Sequence, residues 1–161
     1  FSSLFDKTEE EWNEFGKSLS SYVKIFEDNG INLGYHNHSF EFNPLPSGKM
    51  PIECILDHNE SLKFEIDLGW AVAGNSDPIF WIKKYASKII ACHLKDFISK
   101  DLDLLEHGSQ CAIGDGFINW KDVLTEVKKT NCSIFVLEHD DPKDYQEYVE
   151  RSLNFLSTLD V

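Results

Sequence analysis

Four short stretches of this sequence gather side chains that bind cations or move protons. They are Tyr35-His36-Asn37-His38 with Phe40-Glu41-Phe42, then Glu65-Ile66-Asp67, then Cys92-His93-Leu94-Lys95-Asp96, and last Leu137-Glu138-His139-Asp140. Carboxylates mixed with an imidazole form a hard O/N donor set, suited to Mn²⁺, Mg²⁺, Co²⁺ or Zn²⁺. Singly, each has a plain explanation. An Asp after an apolar run is often a helix cap, a lone His is often a hydrogen-bonded core residue, and a lone Glu is often at the surface. Their recurrence at four successive places is the signal.

What precedes each stretch explains how they could meet. Ile31 to Tyr35 is a short apolar run, and Leu62 to Leu68 alternates apolar with charged residues, as a half-buried strand does. Lys88 to Leu94 carries the continuous apolar centre Ile89-Ile90-Ala91-Cys92 of a strand buried on both faces, and Ser133 to Leu137 is a fourth strand. Helical spacing lies between the strands. Trp12, Phe15, Leu19, Tyr22 and Phe26 recur at three- and four-residue steps before the stop signal Asn29-Gly30. A weaker helix surrounds Ile52 to Leu56. Asp77-Pro78 starts another, with Ile79, Ile82 and Tyr85 as its stripe, because Asp caps the free amides and Pro at N1 costs no bond. Trp120, Val123, Leu124 and Val127 mark a further helix. Asp141-Pro142 is expected to open the last, with Tyr145, Tyr148, Val149, Leu153 and Leu156 inward.

Strands alternating with helices predict an α/β fold: a parallel sheet with helices outside it, as in a (β/α) barrel of TIM type. In such a barrel the C-terminal ends of the strands converge on one mouth, which would bring the four stretches together. No GxGxxG turn follows a strand, which disfavours a dinucleotide site. Only four strand–helix units are visible, whereas a closed barrel has eight over typically about 250 residues. Residues 1–161 therefore read as one partial domain, half of a larger barrel or one that pairs with another half. Open outer strands leave room for a homo-oligomer.

Composition narrows the function. Hydrophobic residues make up 42% of the chain, which excludes a disordered protein, and no apolar run is long enough to span a bilayer. The net charge of −13 repels phosphate backbones, so nucleic acid is not an expected partner. Arg151, the single arginine, leaves no multidentate phosphate clamp. The four cysteines form no CxxC pair, and buried reduced thiols in a cytoplasmic protein are the expectation. The first segment lacks a secretory layout, and Met50 is the single methionine, so the start reads as a cut or processed end.

At its strand ends the chain resembles the xylose isomerase-like (AP endonuclease family 2-type) barrels of the sugar phosphate isomerase/epimerase family. The resemblance rests on Gly34-Tyr35-His36-Asn37-His38-Ser39-Phe40-Glu41-Phe42, Phe64-Glu65-Ile66-Asp67-Leu68-Gly69-Trp70 and Cys92-His93-Leu94-Lys95-Asp96. Ile113-Gly114-Asp115-Gly116 and Val136-Leu137-Glu138-His139-Asp140 continue it. It implies that the chain corresponds to about the C-terminal half of the barrel, with one divalent metal ion as cofactor. By position it makes Asp67, His93 and Glu138 metal ligands. Several relatives carry a Glu where this sequence has Gly34, and Glu41 is the expected fourth ligand instead. His36, His38, Trp70, Lys95 and His139 would face a sugar or polyol substrate.

The resemblance implies an isomerase or epimerase that transfers a proton through an enediolate beside a sugar (phosphate) carbonyl. Glu138 and Glu41 would remove and return that proton on opposite faces. The same deprotonation also begins a dehydratase or β-eliminating deglycosylase, so a metal-dependent sugar or polyol lyase is the alternative. A non-catalytic sugar-binding barrel is a third reading. A DNA-repair endonuclease, known on related barrels, conflicts with the acidic charge.

Overall fold

The computed structural model of the chain describes residues 7–99 and 109–160. Its first helix, α1 (Glu9–Glu27), begins in a capping box: the Thr8 hydroxyl accepts from Glu11 N at 3.3 Å, and the Glu11 carboxylate accepts from Thr8 N at 2.7 Å. Trp12, Gly16 and Val23 form its buried face, while Phe15 and Tyr22, expected on the inner stripe, are exposed. Gly16 sets that choice of face. A Cβ there would lie 2.3 Å from the Cys54 carbonyl oxygen, so this glycine lets α1 close on α2 (Pro51–Leu56).

Four strands, β1 (Gly34–His36), β2 (Lys63–Asp67), β3 (Ile89–Leu94) and β6 (Ile134–Leu137), form one parallel sheet in the order β1-β2-β3-β6. The alternation predicted exactly these four strands, displaced by at most a few residues. Side chains of a strand alternate between faces. Phe64, Ile66, Cys92 and Leu94 are buried on the helix side against Trp81, Ile82 and Val127, and their neighbours Glu65, Asp67 and His93 turn to the other face. Asp67 pairs with His93 across β2 and β3, and His36 with Glu65 across β1 and β2.

Between the strands lie α3 (Leu68–Ala73), α4 (Pro78–Lys84) and α5 (Trp120–Val127), and α6 (Tyr145–Thr158) follows the last strand. Asp77 caps α4 as predicted, accepting from Ile79 N at 2.9 Å. The short α3 and a two-stranded antiparallel ribbon, β4 (Asp96–Phe97) with β5 (Gln110–Cys111), were not signalled by periodicity. Both are too short to show one.

The last helix departs from expectation twice. It starts at Tyr145, not after Asp141-Pro142, because the Asp144 carboxylate accepts from Gln146 N at 2.9 Å and Glu147 N at 3.0 Å and so claims the cap. Its buried residues are Tyr148 and Ser152, whereas Tyr145 is 68% and Leu153 53% exposed, with Val149 also exposed. Ile134 and Phe135 on β6 are exposed as well. β6 is thus an open strand edge with apolar neighbours, a geometry that invites pairing. Among the described residues no helix is long and apolar enough to cross a membrane. Cys54, Cys92, Cys111 and Cys132 are all free thiols; the first two are buried and the others half-buried.

Candidate metal centre

Asp67 occupies the hinge between β2 and α3, and its two carboxylate oxygens have separate tasks. Oδ1 caps α3 by accepting from Trp70 N at 2.8 Å. Oδ2 is buried and has no hydrogen-bond partner; the nearest cation is Lys95 Nζ, 3.8 Å away. The Asn37 amide fixes the strand end beneath it, donating through Nδ2 to the Asp67 carbonyl at 3.1 Å and accepting from Asp67 N at 2.9 Å. This reciprocal pair ties the end of β1 to the end of β2.

His36 projects from the last position of β1, and its Nδ1 is also buried without a hydrogen-bond partner. His93, near the end of β3, lies between two carboxylates: Nδ1 contacts Glu138 Oε2, and Nε2 lies 3.2 Å from Glu65 Oε1. Glu138 follows β6 directly. Its amide continues the sheet ladder by donating to the Leu94 carbonyl at 3.1 Å, and the Tyr148 hydroxyl donates to its carbonyl at 2.9 Å. These contacts bring ligand atoms of His36, Asp67, His93 and Glu138 to within 4.8 Å of one another.

The electrostatics of the group follow from its burial and pairing. Burial pushes the Asp67 carboxyl up to about 7, with the Lys95 ammonium and the Trp70 amide pulling the other way. The hydrogen bond from His93 holds Glu138 down at about 2, although partial burial opposes it. Its reciprocal raises His93. Burial, then the neighbouring His93 and His38, lowers His36 and keeps it in the neutral form that ligates a metal. Asp67 and His36, whose buried Oδ2 and Nδ1 make no hydrogen bond, thus both belong to the same small cluster, with Glu65 Oε2 3.8 Å from His36 Nδ1. Buried polar atoms without hydrogen bonds are costly, and a cation held by the cluster would offset that cost. The donor set fits a divalent metal ion.

Three of the four expected ligands, Asp67, His93 and Glu138, are brought together; Glu41 is not among them. Its carboxylate is fully buried in a 3₁₀ turn (Phe40–Phe42), accepting from the Tyr35 hydroxyl at 2.6 Å and from His38 N at 2.8 Å. Burial raises its pKa, and those two bonds oppose the rise. His36, expected to face substrate, stands in the cluster in its place. The His38 ring lies 5.3 Å from that of His36 and 6.2 Å from that of Trp70. Lys95, fully buried, sits over the Trp70 ring at 4.4 Å, with its Nζ 3.5 Å from Glu138 Oε1 and 3.1 Å from Asp140 Oδ1. His139 turns aside: its Nδ1 accepts from Asp141 N at 3.2 Å, which leaves Nε2, 3.2 Å from the Gln110 carbonyl, as the donor.

Three residues carry roles that sequence reasoning did not assign. Asn37 is the clamp described above. Asp96 is a buried hub whose carboxylate accepts from Gly114 N at 3.0 Å, Gly116 N at 3.3 Å and Trp120 Nε1 at 2.8 Å, anchoring the loop that follows the ribbon. Glu65 holds the far side of the His93 ring, with Oε1 3.2 Å from Nε2, as a carboxylate that orients an imidazole does. Its alternation with Asp67 on one strand face was the available signal. Glu65→Gln is expected to weaken Mn²⁺ or Zn²⁺ binding by about 10–100-fold, measured by competition with a chelating dye. An unchanged affinity would remove Glu65 from the support of His93.

Beside the cluster, a 640 Å³ cavity opens between the loop after β5 and the start of α6. His139 and Asp140 form the wall it shares with the centre, and Arg151 and Tyr148 line it from α6.

The family model for xylose isomerase-like TIM barrels matches residues 2–159. A sugar phosphate isomerase/epimerase from Parabacteroides distasonis superposes with a TM-score of 0.78 at 26% identity, over 93% of this chain and 53% of that one. The probable 3-DHS dehydratase of Bacillus anthracis shares the fold, with a TM-score of 0.76 at 17% identity over 95% of this chain and 59% of its own. In sequence, an inosose dehydratase of Bacillus thuringiensis (strain Al Hakam) is 28% identical over 131 residues, covering 73% of this chain and 43% of the relative. The chain thus spans about half the length of these relatives. With its parallel sheet, outer helices and polar strand ends, this chain belongs to the xylose isomerase-like TIM barrel family.

Proposed function

We propose that this centre binds one divalent metal ion through His36, Asp67, His93 and Glu138 and transfers a proton beside the carbonyl of a sugar or polyol, as an isomerase or epimerase. The observation that carries this reading is the convergence of ligand atoms from His36, Asp67, His93 and Glu138 within 4.8 Å, with Asp67 Oδ2 buried and without a hydrogen bond. Two imidazoles beside two carboxylates favour Mn²⁺, Co²⁺ or Zn²⁺ over Mg²⁺, which prefers oxygen donors and retained water. When bound, such an ion polarises a carbonyl and stabilises the negative charge that deprotonation develops beside it.

The protein's own groups do the rest. Glu138, ionised at neutral pH and at the open side of the cluster, accepts the proton from the carbon next to the carbonyl. Lys95, fully buried, places an ammonium 3.5 Å from Glu138 Oε1 and 3.1 Å from Asp140 Oδ1, where it helps keep Glu138 ionised until that carboxylate takes the proton and returns it to the neighbouring carbon. His38 and Trp70 offer a polar edge and an apolar ring for a sugar face. Glu41, enclosed by Tyr35 and His38, positions the His36–His38 segment instead of reaching substrate. A cytoplasmic setting accords with four free thiols.

A lyase is the second reading, favoured by the dehydratase names of two relatives. Both reactions start with the same abstraction. Incubation of the metal-loaded protein in D₂O with keto-sugars and keto-inositols separates them by mass spectrometry. Isomerisation gives a product of unchanged formula carrying solvent deuterium, whereas elimination loses one water. Absence of metal-dependent deuterium uptake and of water loss across the panel would reject both enzymatic readings and leave a sugar-binding barrel.

A further inference from the structure

In barrels of this kind a substrate phosphate is often held by the loops after the last two strands, with help from a helix N-terminus. The corresponding loops here follow β3 and β6, and the cavity lies between them. Its lining opposes that use. Asp115, Asp140, Asp141, Asp144 and Glu147 supply five carboxylates, against the two cations Lys143 and Arg151. Arg151 is already committed, with Nη2 2.7 Å from Asp115 Oδ2 and Nη1 3.2 Å from Glu147 Oε1. The N-terminal amides of α6, the other natural phosphate cradle, are taken by the Asp144 side chain.

A phosphate dianion only accepts hydrogen bonds, and this wall mostly accepts them too. Sugar hydroxyls are donors as well as acceptors, and they match carboxylates without charge repulsion. The cavity also adjoins the metal centre: Asp140, on its wall, receives Lys95 Nζ at 3.1 Å, and the same ammonium lies 3.5 Å from Glu138 Oε1. A molecule seated at the centre would reach the cavity past Asp140, two residues after Glu138.

Resting on the reading of the cluster as a sugar site, we propose that the substrate portion entering this cavity is an uncharged polyhydroxyl group, and that the carboxylate wall excludes phosphate esters. Asp141 and Asp144 are the residues to test, because they stand at the loop and helix start and neither belongs to the cluster. Asn caps helices as well as Asp does, so Asp141→Asn/Asp144→Asn removes two charges while keeping the shape of the α6 start. Retention of fold is checked by circular dichroism.

Calorimetric titration of the Mn²⁺-loaded protein would compare D-fructose, D-fructose 6-phosphate and inorganic phosphate, with Mn²⁺ loading read separately by electron paramagnetic resonance. The wild type is expected to bind inorganic phosphate and the phosphate ester at least about tenfold more weakly than the double variant does, and never more tightly than it binds fructose. Tight binding of the ester to the wild type would overturn the proposal. So would equal phosphate affinity in wild type and variant, including no binding to either. Absence of Mn²⁺ binding by the wild type would instead count against the metal-site reading, and the metal-free phosphate comparison would still decide the charge argument.

Discussion

Asp96→Ala is expected to destabilise the protein by about 3 kcal/mol or more, because a hydrogen bond to a charged group contributes about 1.5–3 kcal/mol and Asp96 accepts several. The Asp96 side chain is fully buried and accepts from Phe97 N at 2.9 Å, Ile118 N at 3.4 Å, the amides of Gly114 and Gly116, and the Trp120 indole. Alanine would leave these donors facing a void, and each unsatisfied donor costs about 1–3 kcal/mol unless the loop opens to water. Gly116 packs so closely on this carboxylate that a Cβ there would lie 2.1 Å from Asp96 Oδ1. Asp96→Asn keeps the volume but turns an amide donor towards other donors, so it should lose nearly as much. Urea unfolding followed by tryptophan fluorescence measures both. A midpoint within error of wild type for Asp96→Ala would refute the hub.

Glu138→Gln is expected to reduce metal-dependent C–H exchange in D₂O by about 10²–10⁴-fold, the usual cost of removing a general base. The amide retains an oxygen for the metal ion, but it does not take a proton at neutral pH. His139→Asn should cost far less, since both nitrogens of that ring are turned to backbone groups of the loop. A second readout needs no turnover. Glu138 is the first cause of the raised His93 pKa, so neutralising it must lower that pKa and leave His93 less protonated near neutral pH. An NMR titration of the metal-free variant checks the sign. Wild-type exchange in Glu138→Gln would take Glu138 out of the chemistry and leave another group as the base.

The sequence by itself determined the strands, most of the helices and the four polar strand ends, because these are local matters. Alternation along Leu62 to Leu68 and the apolar run of Ile89-Ile90-Ala91-Cys92 record which side chains face helices. The Asp77-Pro78 pair reports a cap that depends on residues two positions away. Asp67, His93 and Glu138 were legible as one group for a further reason: in a parallel sheet the ends of successive strands must lie side by side.

Tertiary structure alone decided which residue of the Tyr35–Phe42 segment turns towards that group. The phase of a strand is set by its pairing, and a shift of one residue exchanges its two faces. With His36 paired to Glu65, the imidazole shares the face of Asp67 and His93, while Glu41 lies beyond the strand in a turn that folds its carboxylate onto Tyr35 and His38. The same holds for Asp96, one residue beyond Lys95 yet wholly structural, because its donors come from residues 97 to 120 and meet only when the ribbon closes. The start of α6 was misplaced for the opposite reason. Asp141 and Asp144 are both good caps locally, and geometry gave the amides of Gln146 and Glu147 to Asp144, leaving Asp141 to line the cavity beside the centre.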